Sequence, residues 1–259
     1  MRSSGLFKVL AVMGLAGFLG AAAHAQLLMG KREIERSSAT EWLMMKRQNP
    51  QITDPRTVRY VECIAGAIID QLDTEWHDLA WEVVVFDNDA LNAFAITGGK
   101  IGVFSGIFTV ADTPDALAAV IGHEVAHMTE GHVFDRARRA SRTTAATILG
   151  SAATGIPRDY FEFGSMVALQ LPFQRGQETD ADIVGLRYMA EAGFDPRAAL
   201  QLWQNMEATS RGRNRPPEWM ATHPREQDRI DDMVPLLVEN LKLYNDAREA
   251  GRVPSCYVR

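Results

Sequence analysis

The sequence predicts an α+β chain, mostly helical, with one small mixed or antiparallel sheet. Three observations carry this expectation. Apolar residues recur at helical spacing through most of the chain. One short region, 81–105, changes to β-branched and aromatic runs. Within it, Gly98 and Gly99 separate two short strands.

The elements follow in order. Residues 31–47 and 55–73 read as helices, broken by Pro50 and Pro55, with Asp54 and Pro55 as cap and first helical position. "WEVVVFD" (81–87) reads as a buried strand, and "NAFAITGGKIGVFS" (92–105) as two strands around a tight turn. The edge of that hairpin is suited to binding an extended peptide by strand addition. Thr113-Pro114-Asp115 opens the next helix: threonine caps it, proline fits the first turn, and aspartate favours the positive end. After it, "FDRARRA" (134–140) reads as an exposed continuation, and "TTAATILGSAATG" (143–155) as a packed helix or a cover over a cleft. Residues 174–192 form another helix, stopped by Gly193. A further helix runs from Asp195-Pro196 to about 208, "SRGRNRPPEW" (210–219) is a turn-rich loop, and a last helical stretch follows Pro224. No internal repeat and no second domain are visible.

The first 25 residues stand apart. Arg2 and Lys8 precede an apolar run from Val9 to Ala23, which ends in Ala23-His24-Ala25. This pattern reads as a signal peptide (1–25) cleaved before Gln26, leaving 26–259 as a single domain with an N-terminal helical extension. An uncleaved anchor helix is the competing reading, but the apolar run falls short of the ~20 residues that span a bilayer. No lipid-attachment cysteine follows it. The reading sends the mature chain across a membrane into an oxidising compartment, with any membrane association not integral. Removing Arg2 and Lys8 takes the net charge from −6 to −8. Such a chain is a poor polyanion binder, and nucleic acid is excluded as a partner.

The chain has two cysteines, Cys63 and Cys256. In an oxidising compartment a bridge would tie the C-terminal tail to the helix at 55–73; the competing reading is two unrelated thiols.

The stretch "AAVIGHEVAHMTEGHV" (118–133) holds three of the six histidines. His123 and His127 lie four apart, on one helix face, where their imidazoles can converge on one ion. Glu124 is turned about 100° away, able to reach a water on that ion without ligating the ion itself. A metal with an open position activates a water, and a carboxylate takes its proton as a carbonyl is attacked. Both histidines lie on or beside the apolar stripe, where buried polar rings need partners. His132 follows His123 by nine residues, and Glu130 and Val133 stand where a metzincin would have glycine and histidine. It reads as a structural histidine at the helix end, where a cation is favoured. Candidates for a third ligand are His77, His223 and the carboxylates. Glu178 and Asp182 in "QRGQETDADIVG" are four apart on a helix, so one could ligate and the other could accept a ligand histidine's outer N–H.

"GHEVAH", "LPFQRGQETDADIVGLRYMAEAGFDP" and "ATHPREQDRI", in this order and with "NAFAITGGKIGVFSGI" before them, resemble family 48 of the zinc metallopeptidases. The resemblance runs from about 83 to 234 and points to the bacterial periplasmic, LoiP- or BepA-like branch. It implies a zincin-like fold and one Zn2+ per chain, held by His123, His127 and Glu178. Glu124 would be the general base and Asp182 would orient a ligand histidine. Arg229 would stabilise the oxyanion, and His223 would be a fourth ligand that holds the enzyme off. It also implies endopeptidase action on unfolded or misassembled envelope proteins. One departure is Gln174-Arg175, where the family has serine-arginine. The alternative is a zinc-bound periplasmic chaperone or adaptor with little proteolytic activity. A purely structural zinc site is disfavoured, since no cysteine lies in the cluster.

Overall fold

The computed structural model describes residues 30–142, 171–211, 217–224 and 229–257. The leader expected at 1–25 and the apolar stretch 143–155 lie outside these residues.

Helix α1 (Lys31–Gln48) comes first, then α2 (Pro55–Ile69), where the Asp54 side chain accepts the Thr57 N–H as expected of a cap. A single turn, α3 (Thr74–His77), leads into strand β1 (Glu82–Phe86), and β2 (Ala93–Ile96) and β3 (Lys100–Phe104) follow. The sheet is mixed, in the order β1-β3-β2. β2 and β3 form the expected antiparallel hairpin, with Ile96 opposite Lys100, while β1 runs parallel to β3, with Val84 opposite Gly102. Gly98 and Gly99 both take positive φ at the turn, which glycine adopts without steric cost.

Side-chain alternation divides the sheet between two cores. On one face, Val85, Ala93, Ala95, Ile101 and Val103 pack with Val61, Ile64 and Ile68 of α2 and with helix α4 (Pro114–Thr129). On the other, Phe86, Phe94, Ile96 and Phe104 form an aromatic cluster closed by Trp42 and Met45 of α1. Trp42 meets Phe86 edge-on at 6.0 Å, and its indole N–H donates to Glu82 at 2.8 Å. The N-terminal extension is therefore the lid of the sheet's second core.

α4 is the central helix: every residue from Ala116 to Met128 is buried. Thr113 caps it by accepting the Ala116 N–H. It ends at Thr129, Gly131 follows with a φ of +75°, and α5 (132–142) begins directly after that turn. This corrects the expected exposed continuation: Val133, Arg136 and Ala140 of α5 are buried. α6 (Arg175–Glu191) packs along α4, followed by α7 (Arg197–Ser210), the short α8 (Glu218–Thr222) and α9 (Arg229–Met233), and α10 (Leu237–Glu249).

α4 and α6 cross glycine on glycine. A Cβ on Gly185 would lie 2.8 Å from the His123 nitrogen, and one on Gly122 would lie 2.9 Å from the Gly185 carbonyl oxygen. Only hydrogen at both positions lets the backbones come this close. That approach brings the 123–127 face of α4 against the 178–182 face of α6. At the far end of α6 the C-terminal tail crosses Gly193, whose missing Cβ makes room for the Arg252 carbonyl, and Cys63 is disulfide-bonded to Cys256. Among the described residues, no helix is long and apolar enough to cross a membrane.

Candidate metal centre

Four side chains on three segments each aim one donor atom at a single point. His123 and His127 come from α4, Glu178 from the first turn of α6, and His223 from the end of α8; their ligand atoms all lie within 4.8 Å of one another. The two Nε2 atoms of His123 and His127 are 3.1 Å apart, and His127 Nε2 is 3.4 Å from Glu178 Oε1. Two ligands at ~2.1 Å from a tetrahedral ion would be ~3.4 Å apart, so the spacing suits a zinc-sized ion.

The hydrogen-bonding pattern makes the same case. Glu178 Oε1 and His223 Nε2 are both buried and both without a hydrogen-bond partner. Orphaned buried atoms are costly and therefore rare. Here two of them face the same point as two further nitrogens, and a cation satisfies all four. Burial, reinforced by the neighbouring histidines, holds His127 and His223 well below the usual imidazole range; burial also lowers His123, against the pull of Asp182. These shifts favour the neutral ring, which keeps a lone pair to donate. Burial pushes Glu178 up to about 8 despite Arg229 beside it, a site in need of positive charge.

Each donor is held from behind. His123 turns Nδ1 to Asp182 Oδ1 at 3.1 Å, leaving Nε2 for the centre. His223 turns Nδ1 to the Trp219 carbonyl oxygen at 2.9 Å, with the same result. Glu178 sits in the first turn of α6 because Gln174 and Gln177 cap that helix reciprocally: Gln174 accepts the backbone N–H at 177, and Gln177 accepts the one at 174. The glutamine that departs from the family pattern thus serves as the cap.

Glu124, the residue after His123, reaches the edge of the cluster. Its Oε1 accepts the Trp219 indole N–H at 2.7 Å and lies 3.3 Å from His223 Nε2. Burial raises its pKa to about 7, opposed by Trp219, Arg136 and the backbone of Ala95 on β2.

Arg229 belongs to the cluster and is buried, unlike a surface arginine among acids. Its Nε and Nη2 donate to Asp182 at 2.5 and 2.6 Å, its Nη1 donates to Glu178 Oε2 at 2.7 Å, and its face lies 4.0 Å from the centre of the Trp203 ring. Three of its five N–H donors are thus held by the two carboxylates.

Of the sequence-predicted residues, His123, Glu124, His127, Glu178, Asp182, His223 and Arg229 are brought together. His77, a candidate ligand by residue type, is not part of the four-residue group. His132, read as a structural histidine, stands outside the four-residue group, but its surroundings do not favour a cation. Its ring is buried, desolvation lowers its pKa, and its Nδ1 lies 3.0 Å from His127 Nδ1. Trp219, Phe173 and Arg136 were not foreseen. A tryptophan one helical turn before His223 is the one local signal that could have found the first. Phe173 and Arg136 have no such signal, because their partners are distant in sequence.

The sequence profile of peptidase family M48 matches residues 55–235. The chain is 36% identical over 153 residues to the mitochondrial metalloendopeptidase OMA1 of Schizosaccharomyces pombe, covering 59% of this chain and 45% of that protein. It is 28% identical over 201 residues to a β-barrel assembly-enhancing protease of Yersinia pestis, covering 73% and 40%. To the protein of that name in Escherichia coli it is 26% identical over 211 residues, covering 74% and 42%. The chain thus spans less than half the length of each of these three relatives.

Proposed function

We propose that this chain, which belongs to peptidase family M48, is a zinc-dependent endopeptidase that acts on unfolded or misassembled proteins of the cell envelope. The observation that carries the reading is the convergence of His123, His127 and Glu178 with two buried orphan atoms among the four donors. The residues suit zinc: imidazole nitrogens and one carboxylate, without cysteine, in a set that keeps a position for a water when His223 stands aside.

Bound there, the ion supplies Lewis-acid activation of a water and of the scissile carbonyl. Glu124 takes the proton of that water on its carboxylate and returns it to the leaving amine. A pKa raised to about 7 suits both halves of this transfer. Trp219 holds Oε1 of that carboxylate in place. Asp182 and Arg229 fix the ligand side: Asp182 orients His123, and Arg229 locks Asp182 and Glu178 into one rigid pair. An extended substrate would lie along β2, the edge strand whose Ala95 backbone reaches Glu124.

His223 supports a closed resting state. Its free Nε2 takes the fourth place in the cluster and stands beside Glu124, where the attacking water must sit. Zinc-loaded His223→Ala should therefore cleave faster than wild type; equal or lower turnover at full zinc occupancy would remove this role. Periplasmic location rests on the leader pattern at 1–25. The relatives' names point to β-barrel assembly and to mitochondria, and the leader favours the first. Against the chaperone alternative stands Glu124, which a binding protein has no need to bury beside a metal. Zinc content and casein cleavage, each with and without chelator, test the function. One zinc per chain and cleavage lost on chelation are expected, and a metal-free preparation that cleaves equally well would overturn it.

A further inference from the structure

We infer that His132 and Phe173 are positioning residues for His127: His132 fixes which nitrogen of His127 carries the proton, and Phe173 fixes the plane of its ring. The inference rests on the zinc reading above and concerns the one ligand histidine with neither a carboxylate nor a carbonyl behind it. His123 has Asp182 and His223 has the Trp219 carbonyl. Behind His127 stands another imidazole, with Nδ1 facing Nδ1 at 3.0 Å.

Two nitrogens at that distance need one hydrogen between them. If His127 gives its Nε2 lone pair to the metal centre, its Nδ1 must carry the hydrogen. His132 Nδ1 is then the acceptor and its own hydrogen lies on Nε2, the side facing Asp180 Oδ2 at 3.9 Å. His132 does not compete for the ion, because its Nδ1 meets His127 on the side away from the other ligands and it is not one of the four converging residues. The turn at Gly131 is what allows this. Had α4 continued straight, residue 132 would sit five residues on from His127, around the helix from it; the break folds the ring back beneath.

The ring plane is set by stacking. Phe173 lies parallel to His127, with centroids 3.7 Å apart and planes 8° apart. The Arg136 guanidinium lies 3.9 Å from the Phe173 centroid, and since two groups cannot share one face at such distances, Phe173 is sandwiched between Arg136 and His127. Phe173 is itself fixed, donating its backbone N–H to Thr222. An imidazole with its Nδ1 bonded and one face covered cannot rotate off the centre.

The test is zinc affinity of the full chain, by competition with a chromophoric chelator, with the cobalt-substituted spectrum as second readout. The variants are His132→Asn, His132→Gln and His132→Leu, with near-UV circular dichroism confirming that each is folded. Asparagine can place its amide oxygen where Nδ1 stood; glutamine places its own where Nε2 stood; leucine has no acceptor. Loss of a supporting partner of this kind typically costs about 10–100-fold in metal affinity. We expect that loss in His132→Gln and His132→Leu, with a shifted cobalt spectrum, and near-wild-type behaviour in His132→Asn. If His132→Leu does not fold, the Asn and Gln pair still decides. Equal affinity in wild type, Asn and Gln overturns the inference and leaves the zinc reading intact, as does equal weakening of both. A wild type that binds no zinc overturns the zinc reading instead.

Discussion

Breaking the Cys63–Cys256 bridge should destabilise the protein substantially, and the size follows from the sequence separation it spans. The two residues are 193 positions apart. In the chain-entropy treatment, closing a loop of that length removes enough freedom from the unfolded chain to contribute about 5 kcal/mol; measured values for native bridges more often fall at ~2–4 kcal/mol. Opening it also frees the tail. That tail carries Arg252, whose Nε donates to the Glu191 carbonyl at the end of α6, the helix that supplies Glu178 and Asp182. Urea unfolding of the metal-free protein, oxidised against a Cys63→Ser/Cys256→Ala double variant, measures the effect. Adding reductant to the wild type provides a control without substitution. The expected result is a loss of roughly 2–5 kcal/mol, or ~5–15 °C in Tm for a chain of this size. The urea slope should rise, because the uncrosslinked unfolded chain exposes more surface. A loss below ~1 kcal/mol with an unchanged slope would refute the reasoning.

Gly185→Ala should force α4 and α6 apart at the backbone of Gly122 and His123. Overpacking of this kind costs ~1–3 kcal/mol, partly offset by ~1 kcal/mol of better helix propensity, so zinc affinity should fall more clearly than Tm does; chelator competition would show it. Glu41 on α1 is a second case. Burial raises its pKa from 4.5 to about 7, with Arg136 pulling the other way. A carboxylate raised in the folded state contributes its stability below pH ~4.5 and loses it as pH climbs through ~7. Glu41→Gln should therefore gain on wild type between pH 5 and 8, by at most about 3 kcal/mol, in urea titrations at the two pH values. A difference that does not change with pH would show that Glu41 is not held in this way.

The histidine helix was legible because its information is local. The His123–Glu124–His127 spacing, the Thr113 cap and the Gly98-Gly99 turn each depend on residues a few positions apart, and the structure places all three as expected. The i to i+4 pairing of Glu178 with Asp182 was equally visible, though not which of them faces the centre. What the sequence could not show was set by distant partners. The three arginines of "FDRARRA" look alike in composition, yet Arg136 turns inward because Phe173, far along the chain, offers it a ring. Likewise nothing near His132 signals that its ring meets that of His127 across the turn at Gly131. The parallel pairing of β1 with β3, and the use of α1 as the lid of an aromatic core, likewise depend on segments that meet only after folding.

The central claim is that zinc-dependent peptide hydrolysis runs through Glu124. Its most direct test is the rate at which zinc-loaded wild type and zinc-loaded Glu124→Gln cleave an unfolded protein such as casein. Glutamine keeps the shape but cannot take a proton, and general acid–base catalysis is worth about 10²–10⁴-fold. The account predicts full zinc occupancy in both proteins and a loss of at least about 100-fold in the variant. Equal rates at equal zinc occupancy would contradict it.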